Sequence, residues 1–245
     1  MSLSSNSVIH FTNNEDSLKN ILKENFKIFY CNEKISLSDS VIEMQVPMVS
    51  FCDIPLSKIK EHIDKYGNYG IGLTKEWAIK KGLNPVLYLE NTSFLSKSLK
   101  DNILYTLNTT DKSIQYSQRP GIDILRYSKN YQNDLERKGN ITKDYRFSDE
   151  REWRYVPHIM ENCFSMLLGN KDEIEKEELE EANSSIKSLR LEFEPNDIKY
   201  IIINNEDEIT NFVQFLRNVK SKYSYEDVER LTTRFITVEQ IKTDF

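Results

Sequence analysis

The sequence predicts an α+β fold, with a single domain over residues 1–245 built on a central, split, mostly antiparallel sheet flanked by helices. Strand and helix patterns mix along the 245 residues without regular βαβ alternation. Glycine and proline are scarce, with 7 and 6 residues, which disfavours a doubly wound nucleotide-binding fold with Gly-rich turns. No linker is long or polar enough to require two domains.

The first part of the chain predicts short strands separated by helices. Asn13 or Asn14 caps a helix whose apolar residues recur at positions i, i+3 and i+4. A later helix is capped by Thr74 and ends at Gly82. The strands expected here are residues 8–12, 26–31, 47–53, 69–73 and 86–89, and the further helices are residues 56–66, 75–81 and 93–107.

The middle of the chain, about residues 109–148, is polar, basic and rich in tyrosine, with weak periodicity. Residues 112–155 hold ten Lys and Arg against seven Asp and Glu. Tyrosines between basic residues suit stacked nucleotides or RNA, and a solvated, mobile excursion is the alternative. The sequence therefore leaves nucleic-acid binding open for this segment.

The last part predicts a charged helix over about residues 171–182, with seven acidic residues against two lysines in Lys171–Glu181. A solvated helix or a mobile insertion is the simpler interpretation, and a surface for a basic partner is the alternative. The strands expected around it are residues 150–156, 189–193, 198–203 and 235–237, with a helix over 209–223 and a short one before the final strand.

Charge and cysteine usage limit the class of protein. The net charge is −6, from 33 basic and 39 acidic residues, which weighs against non-specific wrapping of nucleic acid. Three cysteines lie far apart, as expected for free thiols in a reducing compartment. No signal-peptide pattern opens the chain, and no apolar run approaches the roughly 20 residues of a membrane span. We expect a cytoplasmic protein that does not enter a membrane; its oligomeric state stays open.

Several common catalytic and metal-binding motifs are missing from the sequence. The three histidines and three cysteines form no C-x-x-C, H-x-x-x-H or H-E-x-x-H spacing, so no metal site is expected. There is no P-loop and no G-x-S-x-G elbow. Cys52 has no base nearby in sequence that would activate it as a nucleophile.

Three short segments place polar side chains where they can line a cleft. His10 and Thr12 share one face of a strand because the side-chain period is two. Ser50 lies near the end of another strand, and His62 and Tyr66 share a helix face. The alternatives are a histidine satisfied at a strand end, a half-buried strand and a surface pair.

The segment around Trp153 offers the chemistry of paired carboxylates. On a strand, Glu150, Glu152 and Arg154 lie on one face, with the carboxylates about 7 Å apart. One carboxylate can orient a ribose hydroxyl or stabilise an oxocarbenium-like centre, while the other orients or deprotonates an acceptor. Arg154 can hold a phosphate or lower the carboxylate pKa values. The alternative is an edge strand with cross-strand ion pairs.

Residues 8–160 resemble the AbiGi family of phage-resistance proteins. The segments that carry the resemblance are His10–Thr12, Val46–Leu56, Tyr66–Trp77, Asn84–Tyr88 and Glu150–Pro157. The family is described as the antitoxin half of a bacterial abortive-infection pair. The resemblance implies a protein that acts by binding a cognate toxin.

A looser resemblance connects the chain to ADP-ribosyltransferase-like folds, in which His10, Ser50 and the Glu150-x-Glu152 pair stand in the expected order. It implies NAD as cofactor, with His10 on the NAD ribose or phosphate, Ser50 bracing the site and Glu152 holding the ribose 2′-hydroxyl. An NAD-dependent enzyme that modifies a protein or nucleic acid is therefore the alternative to a binding protein.

Overall fold

The computed structural model describes residues 5–108, 110, 119–137, 139–157, 167–168, 174 and 176–244. It has a mixed α/β architecture. The strands are β1 (Ser7–Thr12), β2 (Phe26–Lys27), β3 (Phe29–Leu37), β4 (Ser40–Cys52), β5 (Tyr69–Thr74), β6 (Asn84–Pro85), β7 (Leu87–Leu89), β8 (Ser128–Asn130), β9 (Asn133–Arg137), β10 (Asn140–Tyr145), β11 (Glu152–Tyr155), β12 (Leu167–Leu168), β13 (Arg190–Leu191), β14 (Ile198–Ile203) and β15 (Phe235–Thr237).

The helices alternate irregularly with these strands. They are α1 (Glu15–Glu24), α2 (Lys60–Tyr66), α3 (Lys75–Lys80), α4 (Phe94–Asn108), α5 (Arg119–Arg126), α6 (Lys176–Ser185), α7 (Ile209–Val219), α8 (Tyr225–Thr232) and α9 (Val238–Asp244). The predicted caps form: the Asn14 side chain accepts from the Ser17 amide, and the Thr74 hydroxyl accepts from the Trp77 amide.

The chain divides into two compact units. Unit 1 comprises Met1–Ile28, Val49–Asn84 and Ser188–Phe245, and unit 2 comprises Phe29–Met48 and Pro85–Lys187. Strand β4 begins in unit 2 and ends in unit 1. A single domain over the whole chain stays a prediction.

Unit 1 contains a mostly antiparallel sheet in the order β15-β14-β5-β1-β4, as predicted. Strand β1 pairs with β5 along its whole length, whereas β14 and β15 are parallel. Parallel neighbours need a crossover connection, which helices α7 and α8 provide. The apolar core below the sheet includes Ile9, Ile63, Ile202 and Ile241, all at most 1% exposed.

Unit 2 is built around the long antiparallel hairpin of β3 and β4, whose register runs from Phe29 opposite Met48 to Leu37 opposite Ser40. Strands β7 and β8 form a parallel pair, and β9 and β10 form a separate hairpin. The core includes Met44 and Val46 from β4, with Ile103 from α4 and Leu125 from α5.

The structure differs from the predicted elements at several places. The strand expected at residues 26–31 is broken after Lys27, and β4 begins at Ser40 rather than at residue 47. The described part of the 109–148 segment holds a helix and three strands. The charged helix runs over Lys176–Ser185; residues 171–173 and 175 of its predicted range lie outside the described residues.

Candidate functional site

The segment with the paired carboxylates is a strand preceded by a tight turn. Glu152 and Arg154 share one face of β11, as predicted, and that face is buried. Glu150 does not lie on this strand, which corrects the prediction, because it ends a 3₁₀ helix over Phe147–Glu150. Arg151 follows with φ at 47°, a left-handed conformation that interrupts an extended strand. The two carboxylates therefore approach from different backbone directions.

Five charged side chains of unit 2 form what we call the ion network: Glu33, Lys129, Glu150, Glu152 and Arg154. Lys129 Nζ lies 2.8 Å from Glu150 Oε2 and 2.9 Å from Glu152 Oε2. Arg154 Nε lies 2.6 Å from Glu152 Oε1, and its Nη2 lies 2.6 Å from Glu33 Oε2. Glu152 is thus held by two cations at once and stands at the centre of the network.

The network is enclosed. Arg154 is 0% exposed, Glu150 5% and Glu152 6%. Removing charges from water is unfavourable unless each gains close partners and hydrogen bonds. Arg154 meets this condition with a further bond from Nη1 to the main-chain oxygen of Arg126 at 3.0 Å. The arrangement is therefore a set of mutually dependent charges.

The pKa values of Lys129 and Arg154 show that attraction to the carboxylates outweighs burial. Burial alone lowers the pKa of Lys129, but the carboxylates of Glu152, Glu150 and Glu33 outweigh it and raise that pKa well above its ordinary value. The pKa of Arg154 is likewise raised, because Glu152 and Glu33 outweigh burial. Both side chains therefore stay protonated at neutral pH, and neither can serve as a general base.

Aromatic side chains close the network from several directions. The Tyr88 hydroxyl accepts the Glu152 amide at 2.8 Å, and the Tyr145 hydroxyl donates to Glu150 Oε1 at 3.2 Å. Lys129 Nζ lies 4.9 Å from the centre of the Phe147 ring. Burial, above all, raises the pKa of Tyr88 to about 12. Tyr145, from the tyrosine-rich segment, therefore contributes to the enclosure of the network.

Two members of the network, Lys129 and Glu33, were not predicted. Both come close because the Asn130 side chain pairs with the edge of β3: its Nδ2 donates to the Ser36 oxygen at 2.7 Å, and its Oδ1 accepts the Ser36 amide at 2.8 Å. This clamp places β8 beside β3. No sequence motif predicts the contact between Asn130 and Ser36, since the two residues are far apart in the chain.

His10 and Ser50 meet in unit 1 through the main chain of Ser50. His10 Nδ1 donates to the carbonyl oxygen of Ser50 at 2.8 Å. Its ring packs edge-on against Phe26 and Phe51, at 5.2 and 5.7 Å between centroids. Burial lowers the pKa of His10, and the Ser50 bond offsets this only in part. The imidazole is therefore held neutral in an aromatic cluster.

The remaining predicted site residues also lie in unit 1. Thr12 is half-buried near the end of β1, opposite Tyr69 of β5. Tyr66 stacks on His62 at 5.4 Å between ring centroids. The predicted site residues therefore divide into a unit 1 set and the Glu150, Glu152 and Arg154 set of unit 2. A common nucleotide site for both sets stays a prediction.

The described part of the chain contains no group of three or more His, Cys, Asp or Glu side chains placed to hold a metal ion. His158 and Cys163 lie outside it, while Cys31 is a free thiol. Among the helices described, none combines the length and the apolar character that crossing a membrane requires.

Comparison with known proteins identifies the family. A family model described as "Putative abortive phage resistance protein AbiGi, antitoxin" matches residues 15–204. The chain belongs to the AbiGi family. The match extends beyond residue 160, further than the sequence resemblance indicated, and it begins after His10. All five members of the ion network lie inside the matched range.

A curated relative supports this assignment. The chain is 26% identical over 236 residues to the "Abortive phage resistance protein AbiGi" of Lactococcus lactis subsp. cremoris, covering 86% of this chain and 94% of the relative. No solved structure matches the chain. An ADP-ribosyltransferase-like fold therefore has no support from a structural neighbour.

Proposed function

We propose that this AbiGi-family phage-resistance protein acts as an antitoxin that binds a cognate toxin protein in the cytoplasm. The observation that carries the proposal is the acidic surface of α6. One side of this helix is fixed to β3, since Asn183 Oδ1 accepts the Tyr30 amide at 3.0 Å. The opposite side exposes four carboxylates, those of Glu177, Glu178, Glu180 and Glu181.

The charge of α6 suits a basic partner. The helix carries four glutamates and one lysine, and the Lys176–Glu180 pair at 3.7 Å is highly exposed on both sides. Such an exposed pair contributes little, so most of the negative charge remains available to another protein. Complementary charge speeds association and selects partners. The description of the family as an antitoxin supports a toxin as that partner.

The test is co-purification with the protein encoded beside it, using a tag on either member. A variant with all four exposed glutamates of α6 changed to glutamine should lose most of the complex at moderate salt. The matched control removes four exposed carboxylates elsewhere: Glu76→Gln, Asp101→Asn, Glu136→Gln and Glu226→Gln. The control should keep the complex. Failure of the wild type to form a complex, or equal loss in both variants, contradicts the proposal.

The geometry favours binding over the enzymatic alternative. Both carboxylate oxygens of Glu152 are occupied by Lys129 or Arg154, so holding a ribose hydroxyl requires breaking ion pairs inside a closed network. His10 is committed to the Ser50 carbonyl and the aromatic cluster. An NAD-dependent activity predicts NAD consumption by the wild type and none by Glu152→Gln. We expect no consumption by either.

A further inference from the structure

A cleft of about 540 Å³ lies in unit 1 where β14, β15 and α9 meet. Its volume is that of ordinary small-molecule sites. Strand β15 is an edge strand of the sheet in this unit. The side chains that matter for its chemistry are those of Lys199, Tyr200, Thr233, Arg234 and Gln240.

An irregularity in β14 builds one wall of the cleft. The register between β14 and β5 shifts between Ile198 and Tyr200. Neighbouring residues of a regular strand point to opposite faces, whereas a bulge turns a side chain to a new direction. Here Lys199 Nζ lies 5.6 Å from the centre of the Tyr200 ring. The side chains of Lys199 and Tyr200 therefore lie on the same side of β14.

The Tyr200 ring has a prepared place on the sheet. Gly72 lies opposite it on β5, and a Cβ at that position would come within 2.8 Å of the Tyr200 ring. The missing side chain at residue 72 lets the ring lie against the strand. Tyr200 is half-buried there, which leaves part of the ring facing the cleft.

The cleft has an excess of positive charge. Arg234 Nη1 donates to the main-chain oxygens of Pro195, at 3.0 Å, and Ile198. Within the described part of the chain, neither Arg234 nor Lys199 makes an ion pair with a carboxylate; Asp244 adds one carboxylate to the lining. Burial lowers the pKa of Arg234, nearby Arg230 lowers it further, and Asp227 offsets these effects only in part. A ligand with negative charge relieves this repulsion.

We infer that this cleft binds a nucleoside phosphate, with the phosphate on Lys199 and Arg234 and the base against Tyr200. Cations bind phosphate oxygens strongly, and an aromatic face stacks on any base. The polar side-chain atoms of Thr233 and Gln240 already have hydrogen-bond partners within the protein, so the two cations and the ring carry the recognition. The chemistry is shared by a free nucleotide and by the end of an RNA strand. The site is separate from α6 and does not depend on the antitoxin proposal.

The experiment is calorimetric titration of the full chain at low salt with three probes: AMP, a six-residue adenylate RNA and inorganic phosphate. AMP should bind to the wild type. Lys199→Ala should weaken AMP about tenfold through the lost charged hydrogen bond, and Tyr200→Leu should weaken it about fivefold or more through lost stacking. The matched control is Lys222→Ala, because exposed Lys222 also lies over a tyrosine ring, at 5.1 Å, but outside the cleft.

Each outcome decides the inference. Tighter binding of the RNA than of AMP, with the same dependence on Lys199, assigns the site to a strand end; binding of AMP alone assigns it to a free nucleotide. Phosphate that binds as well as AMP removes the base from the proposal and overturns it. Binding of no probe, or equal loss in Lys222→Ala, also overturns it. Circular dichroism of each variant shows that the fold is kept.

Discussion

Replacing Arg154 by methionine removes the cation that joins the two sides of the ion network. The guanidinium holds Glu152 and Glu33 at 2.6 Å each and caps the Arg126 carbonyl. The substitution keeps a long apolar side chain but leaves a buried carboxylate short of a partner. Breaking a buried pair in this way costs about 3–5 kcal/mol. We expect unit 2 to lose stability by that amount.

The assay is urea unfolding followed by circular dichroism. With a slope of about 2–3 kcal/mol per molar urea for a chain of this size, the midpoint should fall by about 1–2.5 M. The control is Arg146→Met, since Arg146 is exposed and its guanidinium carbon lies 5.9 Å from the centre of the Tyr131 ring. It should change stability by about 0.5 kcal/mol or less. A loss below about 1 kcal/mol in Arg154→Met would refute the reasoning that the network stabilises the fold.

Three further predictions concern single positions. Lys220 is 3% exposed, and its pKa is lowered to about 8, chiefly by burial. Between about pH 8 and the ordinary lysine pKa of 10.5, the unfolded chain binds more protons than the folded one, so the free energy of unfolding should rise with pH. Lys220→Met should flatten this rise. Gly67 has φ at 120°, and a Cβ there meets the Thr12 carbonyl, so Gly67→Ala should cost about 1–3 kcal/mol in thermal unfolding. Asn130→Ala removes both hydrogen bonds of the clamp to Ser36 and should cost about 1–3 kcal/mol in urea unfolding.

Each of these has a matched control. Lys80→Met removes an exposed lysine of α3 and should leave the pH profile unchanged; a flattened profile there contradicts the assignment. Gly139→Ala shares a positive φ of 77° but meets nothing within 4 Å, so a loss equal to that of Gly67→Ala would show that collision plays no part. Asn140→Ala, at an exposed position, is the matched control for Asn130→Ala.

The sequence predicted the elements whose signals are local. Asn14 and Thr74 cap helices in the structure as their spacing indicates, and β5 and β14 are apolar enough to be recognised. The hairpin of β3 and β4 was missed over residues 32–46. Its outer strand, β3, contains many polar residues, and its turn at Ser38 and Asp39 has no glycine. Its stability comes from pairing and burial that no local pattern contains.

The candidate site was predicted only in part for the same reason. Glu152 and Arg154 lie two residues apart, and strand periodicity placed them on one face. Lys129 and Glu33 reach them across 23 and 121 positions of the chain. The left-handed Arg151, which removes Glu150 from the strand, follows no rule of composition, since residues other than glycine, asparagine and aspartate seldom adopt that conformation.

The sharing of Glu152 between two cations has an evolutionary consequence. A mutation at any one of residues 33, 129, 150, 152 and 154 leaves a neighbour unsatisfied. Every path of single substitutions between two versions of the network therefore passes through a less stable intermediate. Such positions drift rarely, and when they change they change as a set. Among relatives as divergent as 26% identity, we expect them to be retained as a block or exchanged together for apolar residues.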